Sequence, residues 1–206
     1  FTLCRLFVAI GRNLDVITSA STVESFPALR ANLLATTAAW YAAELVDRAT
    51  DQGMECKQVY DLLVAFLRRL DRGGEPDALL SFFSMRLLSA LGFRLSFAQC
   101  TGCGAQVDAG SGQFSALSGG MVCRSCAGAV ADAHPMSAAA YATLRLWQSG
   151  SYDTWESRPA PASAAAEASG LLREYVRAVL EREPRSTRVY ERLRIEDEYL
   201  ATGAPR

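Results

Sequence analysis

The chain has 206 residues, half of them hydrophobic, with a formal net charge of -1 and a sequence pI of about 5.9. That length can bury one good core, and the near-neutral balance excludes a domain that grips phosphate through bulk charge, so any nucleic-acid site must be local. There is no run of about eighteen apolar residues and no basic stretch ahead of a short apolar segment, so neither a membrane helix nor a signal peptide is predicted and a cytoplasmic location is expected.

The first predicted elements are two short strands, residues 3–10 and 14–18, around the turn Gly11-Arg12-Asn13. A lone hairpin is marginal in water, so this pair is expected to belong to a larger sheet whose other strands precede Phe1. From Glu24 the period becomes helical. Phe26, Leu29, Leu33, Thr37, Trp40, Tyr41, Glu44 and Leu45 form one stripe, with Ser25 and Pro27 at its start and Gly53 near its end. A second helix is written by Val59, Leu62, Leu63, Phe66, Leu67 and Leu70 and stops at Gly73-Gly74. The third, from about Pro76 to Leu91, is apolar around most of its circumference and is placed at the centre of the core, with Gly92 as the left-handed residue that ends it.

Residues 100–133 differ in kind, being rich in Gly, Ala, Ser and Cys, with strand-like pieces at 113–117 and 121–122. Such an appendage buries little apolar area and needs a cross-link to hold one conformation. Helical pattern returns at 137–147, breaks through Gly150 and Pro159-Ala160-Pro161, and resumes from Ala162 to about Arg182. The segment 188–200 has alternating charge and reads as a surface helix or a partly ordered tail.

Six cysteines are present, of which Cys4 and Cys56 stand alone. The other four form the pattern Cys100-x2-Cys103-x19-Cys123-x2-Cys126, within the spacing of zinc ribbons. Gly102 and Gly104 relieve the backbone where amides turn toward sulfur. Four thiolates fill a tetrahedral shell, so one zinc ion here is expected to be structural rather than a Lewis acid. Between Arg94 and Arg124 there is no Lys or Arg, so the module is not expected to grip a phosphate backbone. Its expected task is to fix the chain between two core helices or to present a surface to a protein.

Other chemistry is sparse. The single histidine, His134, reads as a polar loop residue. No nucleophile elbow, P-loop or dinucleotide fingerprint occurs, and no enzyme is predicted. Asp47, Asp51, Asp61 and Asp71 have the spacing of a solvated helix face. Arg68, Arg69 and Arg72 complement the dipole at the end of the second helix. Twenty of the 21 basic residues are Arg, which genomic base composition explains better than phosphate recognition does. Arg182, Arg185, Arg188, Arg192 and Arg194 are balanced by Glu181, Glu183, Glu191 and Glu196-Asp197-Glu198, giving a zwitterionic end rather than a basic arm.

Together these residues resemble one family, the bacterial recombination mediator RecO. The resemblance runs through Gly11-Arg12-Asn13-Leu14-Asp15, Glu24-Ser25-Phe26 and Ala43-Glu44-Leu45-Val46. It continues through the leucine-rich run Leu87 to Leu95 leading into Cys100-Thr101-Gly102-Cys103-Gly104, then Gly119 to Cys126, and Arg185-Ser186-Thr187-Arg188. It implies a mainly α protein: a helical-bundle domain over 22–206 with a four-Cys zinc finger inserted at 97–130, preceded at 1–21 by the last strands of a truncated OB-fold. It also implies a non-enzymatic role in the RecFOR pathway, with binding of single- and double-stranded DNA, strand annealing, and partnership with RecR, in some cases RecF, in loading RecA. Contact with the C-terminal tail of single-strand binding protein and a nucleoid-associated location are implied as well. Of the OB-fold cations only Arg5 and Arg12 fall in this chain, and Arg86 and Arg94 are the candidates for edging an apolar groove that takes the acidic tail. The alternative, from another class, is a zinc-ribbon scaffold for protein interactions in transcription.

Overall fold

The computed structural model describes residues 1–51, 53–108, 110–180 and 184–202, and for 198–202 the backbone alone. The predicted hairpin is present as β1 (Leu3–Ala9) antiparallel to β2 (Val16–Glu24), with register shifts at Leu3/Cys4 and Phe7/Val8. β2 runs further than the predicted end at residue 18, because Ser19, Ala20, Ser21 and Thr22 continue to pair across to β1, with Thr18 passed over at the Phe7/Val8 shift. Leu6, Phe7, Val8, Val16 and Ile17 are exposed on both faces of the hairpin, and at its tip Ile10 and Leu14 are 91% and 82% exposed. Its base is tied to the helices by Glu24, which pairs with Arg68 at 2.8 Å, and by Phe1, whose ring meets Trp40 edge-on at 5.4 Å.

Where one helix was predicted there are two, α1 (Pro27–Ala31) and α2 (Leu33–Ala49). Asn32 is extended and its Oδ1 accepts from the Ala35 N–H at 2.9 Å, so it ends one helix by capping the next. Phe26, before α1, has φ 46 and a fully buried side chain. A bulky residue rarely adopts that conformation; here ring burial fixes it. Phe26 has no side-chain acceptor, and the cap comes from Asp71, which accepts from the Leu29 N–H at 2.9 Å.

The buried face of α2 is Ala35, Ala38, Ala39, Tyr41, Ala42 and Leu45, whereas Leu33 and Trp40 of the predicted stripe are 64% and 61% exposed. Small side chains on that face let the next helices approach closely. α3 (Lys57–Asp71) and α4 (Pro76–Ala90) agree with the sequence pattern, and Gly73 and Gly92, at φ 82 and 94, follow them. Glu75 caps α4 by accepting from the Asp77 and Ala78 N–H groups. Along α4, Leu79, Leu80, Phe82, Phe83, Met85, Leu87 and Leu88 are all buried, each stabilising the fold by roughly 1.5–3 kcal/mol. It touches α2, α3, α6 (Ala138–Ser149) and α8 (Ala162–Leu180), and Ser81 bonds Ser169 of α8 at 2.7 Å.

The segment predicted as a break contains α7 (Tyr152–Ser157), capped by Ser151. Arg69 holds it. Its guanidinium lies 4.1 Å over the Tyr152 ring and bonds Glu156 at 2.7 Å and Asp153 at 3.2 Å. Thus Arg69 does more than complement a helix dipole.

The predicted tail segment is α9 (Arg185–Thr202), packed against α2. Tyr190 is buried and stacks on Tyr41 at 6.0 Å. The predicted end of α8 near Arg182, with Glu181 and Glu183, lies outside the described residues, as does the Glu198 side chain. Among the described residues no helix is long and apolar enough to cross a membrane.

Glu44 of α2 caps α9 from outside. It accepts from the Arg185 and Ser186 N–H groups at 2.8 and 2.9 Å and from Ser186 Oγ at 2.6 Å. Burial by itself would raise this carboxyl, but these donors and Arg48 outweigh it and bring the pKa from 4.5 down to about 2. The contribution is therefore present above pH 4.5 and lost as pH falls toward about 2. Glu44→Gln is expected to lower stability by about 1–2 kcal/mol at neutral pH and to flatten the acid limb of a pH–stability curve measured by urea unfolding; an unchanged limb would refute the cap.

Candidate metal centre

Between α4 and α6 lies a small three-stranded sheet, in order β4 (Gly120–Cys123), β3 (Gly112–Ser115), β5 (His134–Pro135), with α5 (Arg124–Ala127) after β4. The first cysteine pair sits in a tight knuckle. Cys100 N–H donates to the Ala105 carbonyl at 2.8 Å and Gly104 N–H to the Cys100 carbonyl at 2.9 Å, with Gly104 at φ 74. The second pair is placed by the end of β4 and the start of α5. Thr101 N–H, donating to the Met121 carbonyl at 2.9 Å, draws the two together.

The sulfurs of Cys100, Cys103, Cys123 and Cys126 all lie within 4.8 Å of one another. Cys103 and Cys123 are 3.7 Å apart, sulfur to sulfur. A disulfide needs about 2.05 Å, whereas a tetrahedron with metal–sulfur bonds of about 2.3 Å has edges of about 3.8 Å. The four can therefore hold a metal ion.

Their electrostatics agree. The Cys123 backbone N–H, 3.3 Å from Cys100 Sγ, is the main cause that brings the Cys100 thiol down to about 6. Cys126 is pushed up to about 12 by hydrogen bonds with the sulfurs of Cys123, Cys103 and Cys100. Four sulfurs this close cannot all be anionic alone, and a divalent cation removes that repulsion. Gly102 is crowded against the site, since a Cβ there would lie 3.4 Å from Cys126 Sγ.

The module is not loosely appended. Phe97, Val107, Phe114, Met121, Val122 and Met136 are buried, more apolar packing than its composition predicted. Gln148, at the end of α6, accepts from the Leu95 N–H at 3.0 Å and donates to the Leu95 carbonyl at 3.1 Å, imitating a strand partner in a buried setting. Tyr141 donates to the Phe97 carbonyl at 3.2 Å. On the returning side Asp132 accepts from Ser115 Oγ and the Leu117 N–H. Ser137 donates to Glu167 of α8 through both its N–H and its hydroxyl.

His134, read from sequence as a loop residue, lies in β5 and pairs with Glu174 of α8 at 3.0 Å. Burial alone would lower its pKa, but Glu174 raises it above the ordinary value. Ser96 bridges Gly120 in parallel, and backbone approaches backbone there so closely that a Cβ on Gly120 would fall 2.3 Å from the Ser96 carbonyl oxygen. Pairing thus reaches from Ser96 to Pro135.

Comparison with known proteins follows the same lines. The family model for the recombination protein O C terminal matches residues 30–188. The DNA repair protein RecO of Roseiflexus sp. (strain RS-1) is 40% identical over all of this chain and 71% of its own length. The chain belongs to the RecO family. RecO of Desulforudis audaxviator (strain MP104C) is 35% identical over 90% of this chain and 74% of its own length, and RecO of Dehalococcoides mccartyi (strain CBDB1) is 28% identical over 92% and 75%. The resemblance carried by the leucine-rich helix and the cysteine pairs is borne out.

Of the four arginines singled out in this RecO chain, Arg5 is exposed on β1 opposite Ser21, and Arg12 is exposed in the hairpin turn. Arg86 is half-buried on α4 and donates to the Gln148 carbonyl at 2.5 Å, closing the end of α6. Arg94 is exposed in the loop after α4. The cysteines converge, whereas these four arginines sit on β1, in the hairpin turn, on α4 and in the loop after it. Sequence reading missed Gln148, Glu167 and Glu174, whose partners are distant in the chain and carry no motif.

Two outcomes follow for the RecO insert. Metal analysis of reduced protein is expected to find about one ion per chain, and Cys123→Ala to abolish it and loosen residues 100–130, since metal binding of roughly 10–16 kcal/mol is folding free energy in such sites. Retained metal with native stability would overturn the staple. Gln148→Leu is expected to cost about 2–4 kcal/mol in denaturant unfolding, because it strands a buried N–H and carbonyl together; a cost below about 0.5 kcal/mol, typical of an inconsequential surface change, would overturn the clamp.

Proposed function

We propose that this chain is a recombination mediator that makes and breaks no bonds, acting in the RecFOR pathway with RecR, in some settings RecF, to help RecA displace single-strand binding protein and to anneal complementary strands. The observation that carries this reading is the family match, which spans residues 30–188 in the RecO model and the whole chain in a 40% identical DNA repair protein. Membership supports a role in DNA repair. A mediator of this kind would work in the cytoplasm at the nucleoid.

Zinc is the ion we assign to the four cysteines, because an all-thiolate donor set of this spacing suits it. Such an ion supplies folding free energy rather than catalysis, having no open coordination position. Cys100 anchors the cage from the buried side, and Cys103, Cys123 and Cys126 close it.

For the hairpin we infer the last strands of an OB barrel. Its exposed apolar residues on both faces are those a barrel would cover, and the RecO model match begins after it, at residue 30. Arg5 and Arg12 would then contribute to single- and double-stranded DNA binding. Arg30 and Arg72, exposed at the ends of α1 and α3, carry further positive charge on the helical part. For the acidic tail of single-strand binding protein we propose the cleft of about 240 Å³ lined by Leu88, Phe93, Val179 and Leu180 and edged by Arg48. Arg94 is the exposed residue that follows Phe93 in the chain, and Arg86, on the same helix as Leu88, holds α6.

The test has three arms on one preparation: capture of RecR, anisotropy with a labelled single-strand binding protein tail peptide, and anisotropy with single-stranded DNA. Binding in the first two supports the mediator reading, and absence of both would refute it. Arg5→Glu with Arg12→Glu is expected to weaken DNA binding and flatten its salt dependence by a slope of about 1.4 on single-stranded DNA while leaving peptide binding intact; an unchanged slope would remove the hairpin from the DNA site. Phe93→Ala with Arg94→Glu is expected to weaken the peptide alone.

A further inference from the structure

The four sulfurs of the metal centre are chemically unequal. Cys100 is buried at 3% exposure and its sulfur accepts from the Cys123 N–H. Cys123 and Cys126 are half-buried, whereas Cys103 is exposed. Among the described residues the sulfur of Cys103 has a hydrogen-bond contact to Cys123 Sγ, at 3.7 Å, and none to a backbone N–H. N–H donors to a thiolate withdraw charge and blunt its nucleophilicity, and burial denies access to reagents. Both protections fall on Cys100 and both are lacking at Cys103.

We propose that Cys103 is an oxidant-sensitive modification site: a hydroperoxide oxidises its thiolate, and the product closes a disulfide with Cys123 that ejects the metal ion. In the first step the Cys103 sulfur attacks peroxide oxygen and the O–O bond breaks. Cys103 is oxidised by two electrons to the sulfenic acid, and the leaving hydroxide takes a proton to become water. In the second step the Cys123 sulfur attacks the sulfenic sulfur and the S–O bond breaks. The oxygen leaves with a second proton as another water. Two thiolates, one hydrogen peroxide and two protons thus become one disulfide and two waters. Cys100 and Cys126 alone would then remain to hold a cation, half of its donors, and the site would release it. All four sulfurs lie within 4.8 Å of one another, and the partner is the one in direct hydrogen-bond geometry with Cys103 Sγ, Cys123 Sγ at 3.7 Å. Cys123 Sγ is already at tetrahedral-edge distance, and the knuckle loop Thr101-Gly102-Cys103 needs to close only that gap.

This inference rests on the metal reading above, so the experiment separates the two. The whole chain carrying Cys4→Ser and Cys56→Ser, both outside the site, is loaded with zinc and its metal content measured first; content far below about one ion per chain fails the metal reading before any oxidant is added. Hydrogen peroxide is then titrated in while a chromogenic chelator follows zinc release and mass spectrometry maps disulfides at partial conversion. The expected result is a Cys103–Cys123 disulfide formed in step with release. First oxidation at Cys100 or Cys126, a different pairing, or release without a disulfide would overturn the proposal. Cys103→His keeps a donor for the ion while removing the thiol, and is expected to slow release by about tenfold or more. Unslowed release from that variant also overturns it. Should the variant fail to load, the mapping on the unsubstituted site decides.

Discussion

A helix that is apolar on every side must be covered on every side, and α4 imposes that demand on this chain. With Leu79, Leu80, Phe82, Phe83, Met85, Leu87 and Leu88 all buried, it is enclosed by α2, α3, α6 and α8. The arrangement of those four is less a matter of their own propensities than of the surface they must close. It also fixes where the sulfur module can stand. The chain leaves α4 at Gly92 and must return to begin α6, so both ends of the module are set by helices that pack on one core. Gln148 and Leu95 meet because of that packing, and the pair then passes the rigidity of the core into the sheet.

What could be read from the residues in advance follows the range of the interactions. α3 and α4 were legible because their apolar spacing is a local signal, and Gly73 and Gly92 mark their ends locally too. The break at Asn32 was hidden because the apolar spacing continues through it, and only the asparagine cap reveals it. The large residues of α2 suggest a stripe that includes Leu33 and Trp40, yet Ala35, Ala38, Ala39 and Ala42 lie inside beside Tyr41 and Leu45: close approach to the core favours small side chains. α7 carries little pattern of its own and stands because Arg69, far away in sequence, reaches three of its side chains. α9 has few apolar residues, and its docking depends on Tyr190 and on a carboxylate from another helix.

The same division holds for the site. Four cysteines in two close pairs announce a metal centre without any knowledge of the fold, since ligand spacing is written along the chain. The second tier, Gln148, Tyr141, Asp132, Glu167 and Glu174, joins residues that only the tertiary structure brings near, and none belongs to a motif. Function lies a step beyond either. Nothing in charge, periodicity or spacing names a mediator of recombination; the resemblance to RecO does, and the match along the chain shows the family.

Position 120 illustrates what close backbone approach means over evolutionary time. Because the Ser96 carbonyl occupies the space a side chain would need, no substitution there is neutral, however conservative its chemistry. A lineage could alter the surface of the module widely and still keep its shape, but drift at this residue would prise apart the seam between the two knuckles. Tolerance to sequence change in this small sheet is governed there by room rather than by polarity.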